Sequence, residues 1–133
     1  MLKMKNKKIT KSKQKILDRK EINRKDKEWS ESVKKRDEYK CVYSGSSEFI
    51  QSAHLFPREI EMFRWDIDNG ITLRAKYHKM HPSQEDDKRY FSAHINPLAV
   101  FIWMLQNRPE QLSRLICKWN IYLGINNDKE KSI

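Results

Sequence analysis

Three of the four histidines in this chain lie between residues 54 and 81, as His54, His78 and His81. An imidazole titrates near neutral pH, so a neutral histidine can take a proton from water or bind a divalent metal. Phosphodiester hydrolysis needs an activated water and a cation that absorbs charge on the phosphoryl and leaving oxygens. His54 could activate the water. His78 and His81 are three residues apart, so on a helix both could approach one ion.

A strand, a turn, a second strand and a short helix are predicted to position these side chains. Apolar and β-branched residues indicate the strands, Asn-Gly is typical of a tight turn, and proline ends a helix. The predicted elements are a strand at Phe49–Leu55, a turn at Asn69-Gly70, a strand at Ile71–Leu73 and a helix at Arg74–His81 before Pro82. This order predicts a ββα unit.

Helical segments are predicted on both sides of the unit. From Asp26 onwards Trp29 and Val33 share one helical face, while residues 1–26 read as a basic arm, flexible or helical. The stretch Leu98–Leu105 is apolar on nearly every side, so it is either buried or meets a partner, including a second copy of the chain. We therefore predict an arm (1–26), a ββα domain (27–93), a C-terminal helical pair ended by Gly124 (94–124) and a polar tail (125–133).

Nearly all of the net charge of +10 belongs to the first 40 residues, which hold 16 Lys or Arg and 7 Asp or Glu. A basic arm on a nearly neutral body indicates a polyanionic partner, DNA or alternatively RNA. A solvated tail that only keeps the protein in solution is the other interpretation. Candidate nucleic-acid contacts are Lys34, Lys35, Arg36, Arg58, Arg74 and Lys76.

The sequence does not favour a membrane or a secreted protein. It contains no apolar run of membrane-spanning length and no secretory signal. Cys41 and Cys117 form no CxxC pair, and we expect both to be free thiols in a reducing, cytoplasmic compartment.

The stretch from Cys41 to His81 resembles an HNH endonuclease domain, a ββα-metal nuclease. The similarity is carried by Ala53-His54-Leu55-Phe56-Pro57, by Asp68-Asn69-Gly70-Ile71-Thr72-Leu73-Arg74-Ala75 and by His78. The resemblance implies an α+β fold: a small ββα-metal core with a basic N-terminal helical arm and two C-terminal helices. It also implies that His54 is the general base, that Asn69 fixes the loop, and that His78, with His81, binds one divalent ion (Mg, Mn, Ni or Zn). Small size and this family suggest a phage or mobile-element origin.

Two departures from the family pattern bear on the metals. Many members hold a structural zinc with two CxxC pairs, but the corresponding segments here are Cys41-Val42-Tyr43-Ser44 and Arg74-Ala75-Lys76-Tyr77. One thiol cannot close a tetrahedral zinc site, so we predict no structural zinc and expect packing by Tyr43, Tyr77 and the C-terminal helices instead.

The second departure is Ala53, where many members have a metal ligand, although one branch with Ala-His-Leu/Ile-x-Pro and no zinc cysteines shares this alanine. The leading hypothesis is a metal-dependent DNA endonuclease. The alternative is a catalytically inactive protein of this fold that binds DNA or structured RNA, for example in a ribonucleoprotein. His94 lies outside the motif and is interpreted as non-catalytic.

Overall fold

The computed structural model describes residues 10–80 and 89–131, with side chains described up to residue 125. It is an α+β structure in which helices surround one two-stranded antiparallel sheet. In chain order the elements are α1 (Lys11–Arg36), β1 (Ile50–His54), α2 (Glu61–Arg64), a 3₁₀ turn (Ile67–Asn69), β2 (Gly70–Arg74), α3 (Ala75–His78), α4 (Pro97–Asn107) and α5 (Pro109–Lys131).

Helix α1 is continuous across the boundary predicted between residues 26 and 27. It begins after Thr10, whose Oγ1 accepts a hydrogen bond from the Lys13 amide, as a helix N-cap does. No glycine or proline interrupts residues 11–36, so from Lys11 onwards the basic arm takes the helical of its two predicted forms. Trp29 and Val33 are its only buried residues, so its first turns project from the body.

The sheet pairs β1 with β2 in a register that sets His54 opposite Gly70 and Ile50 opposite Arg74. The prediction of a tight turn at Asn69-Gly70 is wrong, because Asn69 ends the 3₁₀ turn and Gly70 is the extended first residue of β2 (φ −134°). Gly70 is required for another reason. A Cβ at this position would lie 2.5 Å from Cζ2 of Trp29 and 2.6 Å from Cγ2 of Val33, so this glycine allows α1 to pack against the sheet.

The hydrophobic core lies on the sheet face that meets α3 and α4. Its buried members include Cys41, Ala53, Ile71, Leu73, Tyr77, Phe91, Val100, Met104 and Leu112. Beside it, the Tyr43 ring stacks on Phe91 with ring centroids 3.9 Å apart and meets the edge of Tyr77 at 4.9 Å. The predicted packing by Tyr43 and Tyr77 is therefore confirmed.

Two helix predictions need correction. Helix α3 ends at His78 and is therefore one turn long, and helix α5 does not end at Gly124 but continues to Lys131. A glycine inside a helix costs only about 1 kcal/mol, which the turns on either side tolerate.

Helix α4 contributes Val100 and Met104 to the core but leaves Leu98, Phe101, Ile102 and Leu105 exposed. Self-association through this helix stays a prediction. Among the described residues, no helix is both long and apolar enough to cross a membrane.

Candidate functional site

The imidazole of His54 is held on two sides at the end of β1. The Trp29 indole of α1 stacks on it with ring centroids 3.9 Å apart and an interplanar angle of 7°. Its Nε2 lies 2.9 Å from the carbonyl oxygen of Arg64. A carbonyl only accepts hydrogen bonds, so Nε2 carries the proton in the neutral ring and Nδ1 keeps its lone pair.

The electrostatic surroundings of His54 favour the neutral ring. Burial lowers the pKa of His54, and the positive charges of Arg64 and Arg58 lower it further. The hydrogen bond to the Arg64 carbonyl and the negative charge of Asp26 partly offset this lowering. Asp26 in turn binds the Arg64 guanidinium through two hydrogen bonds and accepts one from Trp65. This network fixes the end of α2 whose carbonyl orients the His54 ring.

Asn69 is fully buried and uses its side-chain amide to hold the connection between the strands. Its Oδ1 accepts from the Phe56 amide at 2.6 Å, and its Nδ2 donates to the carbonyls of Phe56 at 3.1 Å and Phe63 at 3.0 Å. The Asn69 carbonyl also accepts from the Leu55 amide at 3.0 Å. These bonds hold the residues that follow His54 and those that precede Arg64.

His78 is a buried, neutral imidazole at the end of α3. Its Nδ1 lies 2.8 Å from Oε1 of Gln51 on β1, which leaves Nε2 as the ring atom able to bind a metal. Burial lowers its pKa to about 4, with further lowering from the charges of His94, Lys79 and His54.

The structure places His94, which was interpreted as non-catalytic from the sequence, next to His78. The rings of His78 and His94 are 4.8 Å apart between centroids and nearly perpendicular, at 89°. Trp29, Gln51 and Arg64 were also missed, although each orients one of the histidines. No local pattern marks these contacts, because they join residues far apart in the chain. The one available signal was that His94 is the only remaining histidine.

The candidate nucleic-acid residues are placed differently from one another. Arg36 forms intramolecular hydrogen bonds: its guanidinium donates to the Asp37 carboxylate and to the carbonyls of Ile67 and Gly70. This departs from its predicted role, because the buried Asp37 carboxylate and the end of β2 hold the arginine in place. Arg58 is exposed and acts electrostatically on His54.

The other four basic candidates lie at or near the surface. Lys35 is exposed and Lys34 is half-buried on α1. The Arg74 guanidinium lies over the Phe49 ring at 6.0 Å, and the Lys76 ammonium lies over the Tyr77 ring at 5.0 Å.

The residues near His78 fit a divalent ion that keeps part of its water shell. Ala53 is buried and offers no ligand atom. Within residues 10–80 and 89–131, no three His, Cys, Asp or Glu side chains form a group that could hold a metal. His81, the second predicted ligand, lies outside the described residues. The two imidazoles of His78 and His94 lie in contact here.

Comparisons with protein-family models, with curated proteins and with solved structures found no match to this chain. The functional interpretation therefore depends on the geometry of the site and on the sequence motif.

Proposed function

We propose that this protein is a metal-dependent DNA endonuclease of the HNH type, in which β1, β2 and α3 form the ββα-metal core. The observation that carries the proposal is the arrangement of His54. Its ring is clamped by Trp29 and the Arg64 carbonyl, so that a neutral imidazole presents Nδ1 as a base. A structural histidine could be held in the same way, and the catalytic role is favoured because His54 belongs to one sequence motif with Asn69 and His78.

In the proposed reaction His54 Nδ1 takes the proton of the attacking water. Its lowered pKa keeps the ring neutral at pH 7 and so available as a base. His78 would hold a divalent ion through Nε2, and such an ion supplies charge stabilisation for the phosphoryl and leaving oxygens. The exposed guanidinium of Arg58, which acts on His54 electrostatically, would bind a neighbouring phosphate.

The projecting part of α1 supports a nucleic-acid substrate. Residues 11–25 carry 7 Lys or Arg against 2 Asp or Glu. At 1.5 Å per residue this helical segment is about 22 Å long, which matches roughly six base pairs of duplex DNA. The helix therefore presents its excess positive charge along a length suited to a phosphate backbone. RNA remains the alternative polyanion.

The test is plasmid cleavage by the full chain in Mg²⁺, Mn²⁺, Ni²⁺ or Zn²⁺, with EDTA as the metal-free control. We expect nicked or linear product that EDTA abolishes and that His54→Ala reduces by at least about 100-fold, as loss of a general base does. The matched control is Asn107→Ala, an exposed substitution on α4 that should leave cleavage unchanged. Equal cleavage by wild type and His54→Ala would refute the role of His54.

One observation favours a second candidate, a catalytically inactive protein of this fold that binds DNA or structured RNA. Ala53 is packed in the core beside Cys41 and Ile71 and contributes no ligand. This candidate predicts no cleavage in any metal, together with binding that weakens as salt rises. Replacing Lys11, Lys13 and Lys15 with serine would then reduce the salt dependence of binding.

A further inference from the structure

A short segment fastens His94 against the end of α3. The backbone amides of Ala93 and His94 donate to the carbonyls of Tyr77 (2.9 Å) and His78 (3.0 Å). The last carbonyls of a helix have no partner within it, so these two bonds both satisfy the end of α3 and set the register of the segment. His94 therefore lies beside His78 because of paired backbone groups and not through a chance surface contact.

The turn that carries His94 is itself held by the buried Ser92. The Ser92 side chain donates to the Met80 carbonyl and accepts from the Ile95 amide, both at 3.3 Å, and its carbonyl accepts from the Asn96 amide at 2.9 Å. The His94 side chain is nevertheless exposed. A fixed backbone that presents an exposed imidazole next to a buried one is the arrangement of a preformed ligand pair.

The spacing of the two rings suits a shared ion. A metal–imidazole bond is about 2.1 Å, and the ring centre lies about 1.1 Å beyond the nitrogen. Two imidazoles on one ion at about 90° to 110° then have centroids about 4.5 to 5.2 Å apart. The observed separation of the His78 and His94 rings is 4.8 Å.

We propose that His94 is a metal ligand and shares one divalent transition-metal ion with Nε2 of His78. The inference rests on the proposed function for the purpose of the ion, but it concerns binding alone. His94 would supply the protein ligand that position 53 lacks.

Two imidazoles also restrict which ion binds. Imidazole suits Ni²⁺, Zn²⁺ and similar ions, whereas Mg²⁺ prefers oxygen ligands. We therefore expect Ni²⁺ or Zn²⁺ to bind more tightly than Mg²⁺ in the absence of nucleic acid.

The experiment is calorimetric titration of the full chain with Ni²⁺, without DNA, for wild type, His94→Ala, His94→Phe and Ile95→Ala. Phenylalanine keeps a ring against His78 but has no donor atom, and Ile95 is an exposed neighbour that serves as the control. Loss of even an outer-shell partner weakens metal affinity about 10- to 100-fold. Both His94 variants should lose at least this much, while Ile95→Ala binds like wild type. Unchanged thermal unfolding of the apoproteins would show that the loss is not caused by misfolding.

A spectroscopic measurement counts the ligands directly. Cu²⁺ bound to the wild-type protein should show couplings to two imidazole nitrogens in electron paramagnetic resonance, and to one in His94→Phe.

Unchanged Ni²⁺ affinity in both His94 variants, or a loss of affinity in His81→Ala but not in His94→Ala, would overturn the proposal. Ni²⁺ binding that depends on His94 in a protein that cleaves no DNA would keep this site and refute the nuclease. Cleavage together with Ni²⁺ binding that is indifferent to His94 would do the reverse.

Discussion

Substituting Asn69 tests whether the connection between the strands depends on one buried amide. Asn69→Ala removes three hydrogen bonds and leaves the Phe56 amide and the carbonyls of Phe56 and Phe63 without these partners. An orphaned buried polar group costs about 1 to 3 kcal/mol. With some relaxation of the loop, we expect the free energy of unfolding to fall by about 4 kcal/mol, a large share of the 5 to 15 kcal/mol typical of a domain.

The assay is urea unfolding followed by tryptophan fluorescence, with Asn107→Ala as the matched control. The Asn107 side chain also donates to a carbonyl, that of Trp103 at 2.9 Å, but at an exposed helical site. Its loss should cost no more than about 0.5 kcal/mol. A second variant, Asn69→Asp, keeps the shape of the side chain but points an oxygen at two carbonyls, so it should destabilise at least as much as alanine. If Asn69→Ala cost no more than Asn107→Ala, the amide would not be holding the loop.

Three further predictions concern stability. Gly70→Ala would place a Cβ 2.5 Å from Trp29 and should lower the free energy of unfolding by at least about 1 to 3 kcal/mol. Gly124→Ala meets no heavy atom within 4 Å and should raise it by about 0.5 to 1 kcal/mol. Urea midpoints that move in the same direction for both glycines would contradict the packing of α1 against the sheet. In EDTA, unfolded His78 takes up a proton as the pH falls below about 6.5, whereas the folded residue resists protonation until about pH 4. Stability should therefore decrease with falling pH across this window, by roughly 3 kcal/mol in all, and His78→Asn should flatten the decrease. An unchanged slope in that variant would contradict the burial of His78.

Strand β1 could be predicted from its neighbours in sequence, but its ends could not. Phe49 was expected in the strand, yet its φ is 50° and its side chain is 75 % exposed. Leu55 lies outside the strand, although its amide still bonds to the Asn69 carbonyl, because Asn69 belongs to the 3₁₀ turn. The two ends of β1 are set by its pairing with β2 and by the residues that connect the strands. Neither is contained in a local window of sequence around β1.

The Asn69-Gly70 pair shows how a correct motif can support a wrong structure. The pair is typical of a tight turn, and that local preference predicted a turn at these two residues. Here Asn69 is used for its buried amide and Gly70 for the space it leaves to Trp29 and Val33. Both requirements arise from tertiary contacts.

The contact between His78 and His94 was beyond local prediction for a related reason. It exists because the amides of Ala93 and His94 bond to the carbonyls of Tyr77 and His78 at the end of α3. The sequence identifies His54 and His78 as candidates, but the neighbour of His78 is known only once this backbone pairing is known.

Helix α1 has a practical consequence for protein engineering. The same uninterrupted helix starts in solvent at Lys11 and places Trp29 on the His54 ring. A targeting domain fused in helical register ahead of residue 11 would be joined to the ring by a stiff rod and not by a loose tether. Adding or removing one residue at that junction would rotate the fused domain by about 100° around the helix axis, so the length of the junction sets the orientation of the fused domain relative to the His54 ring.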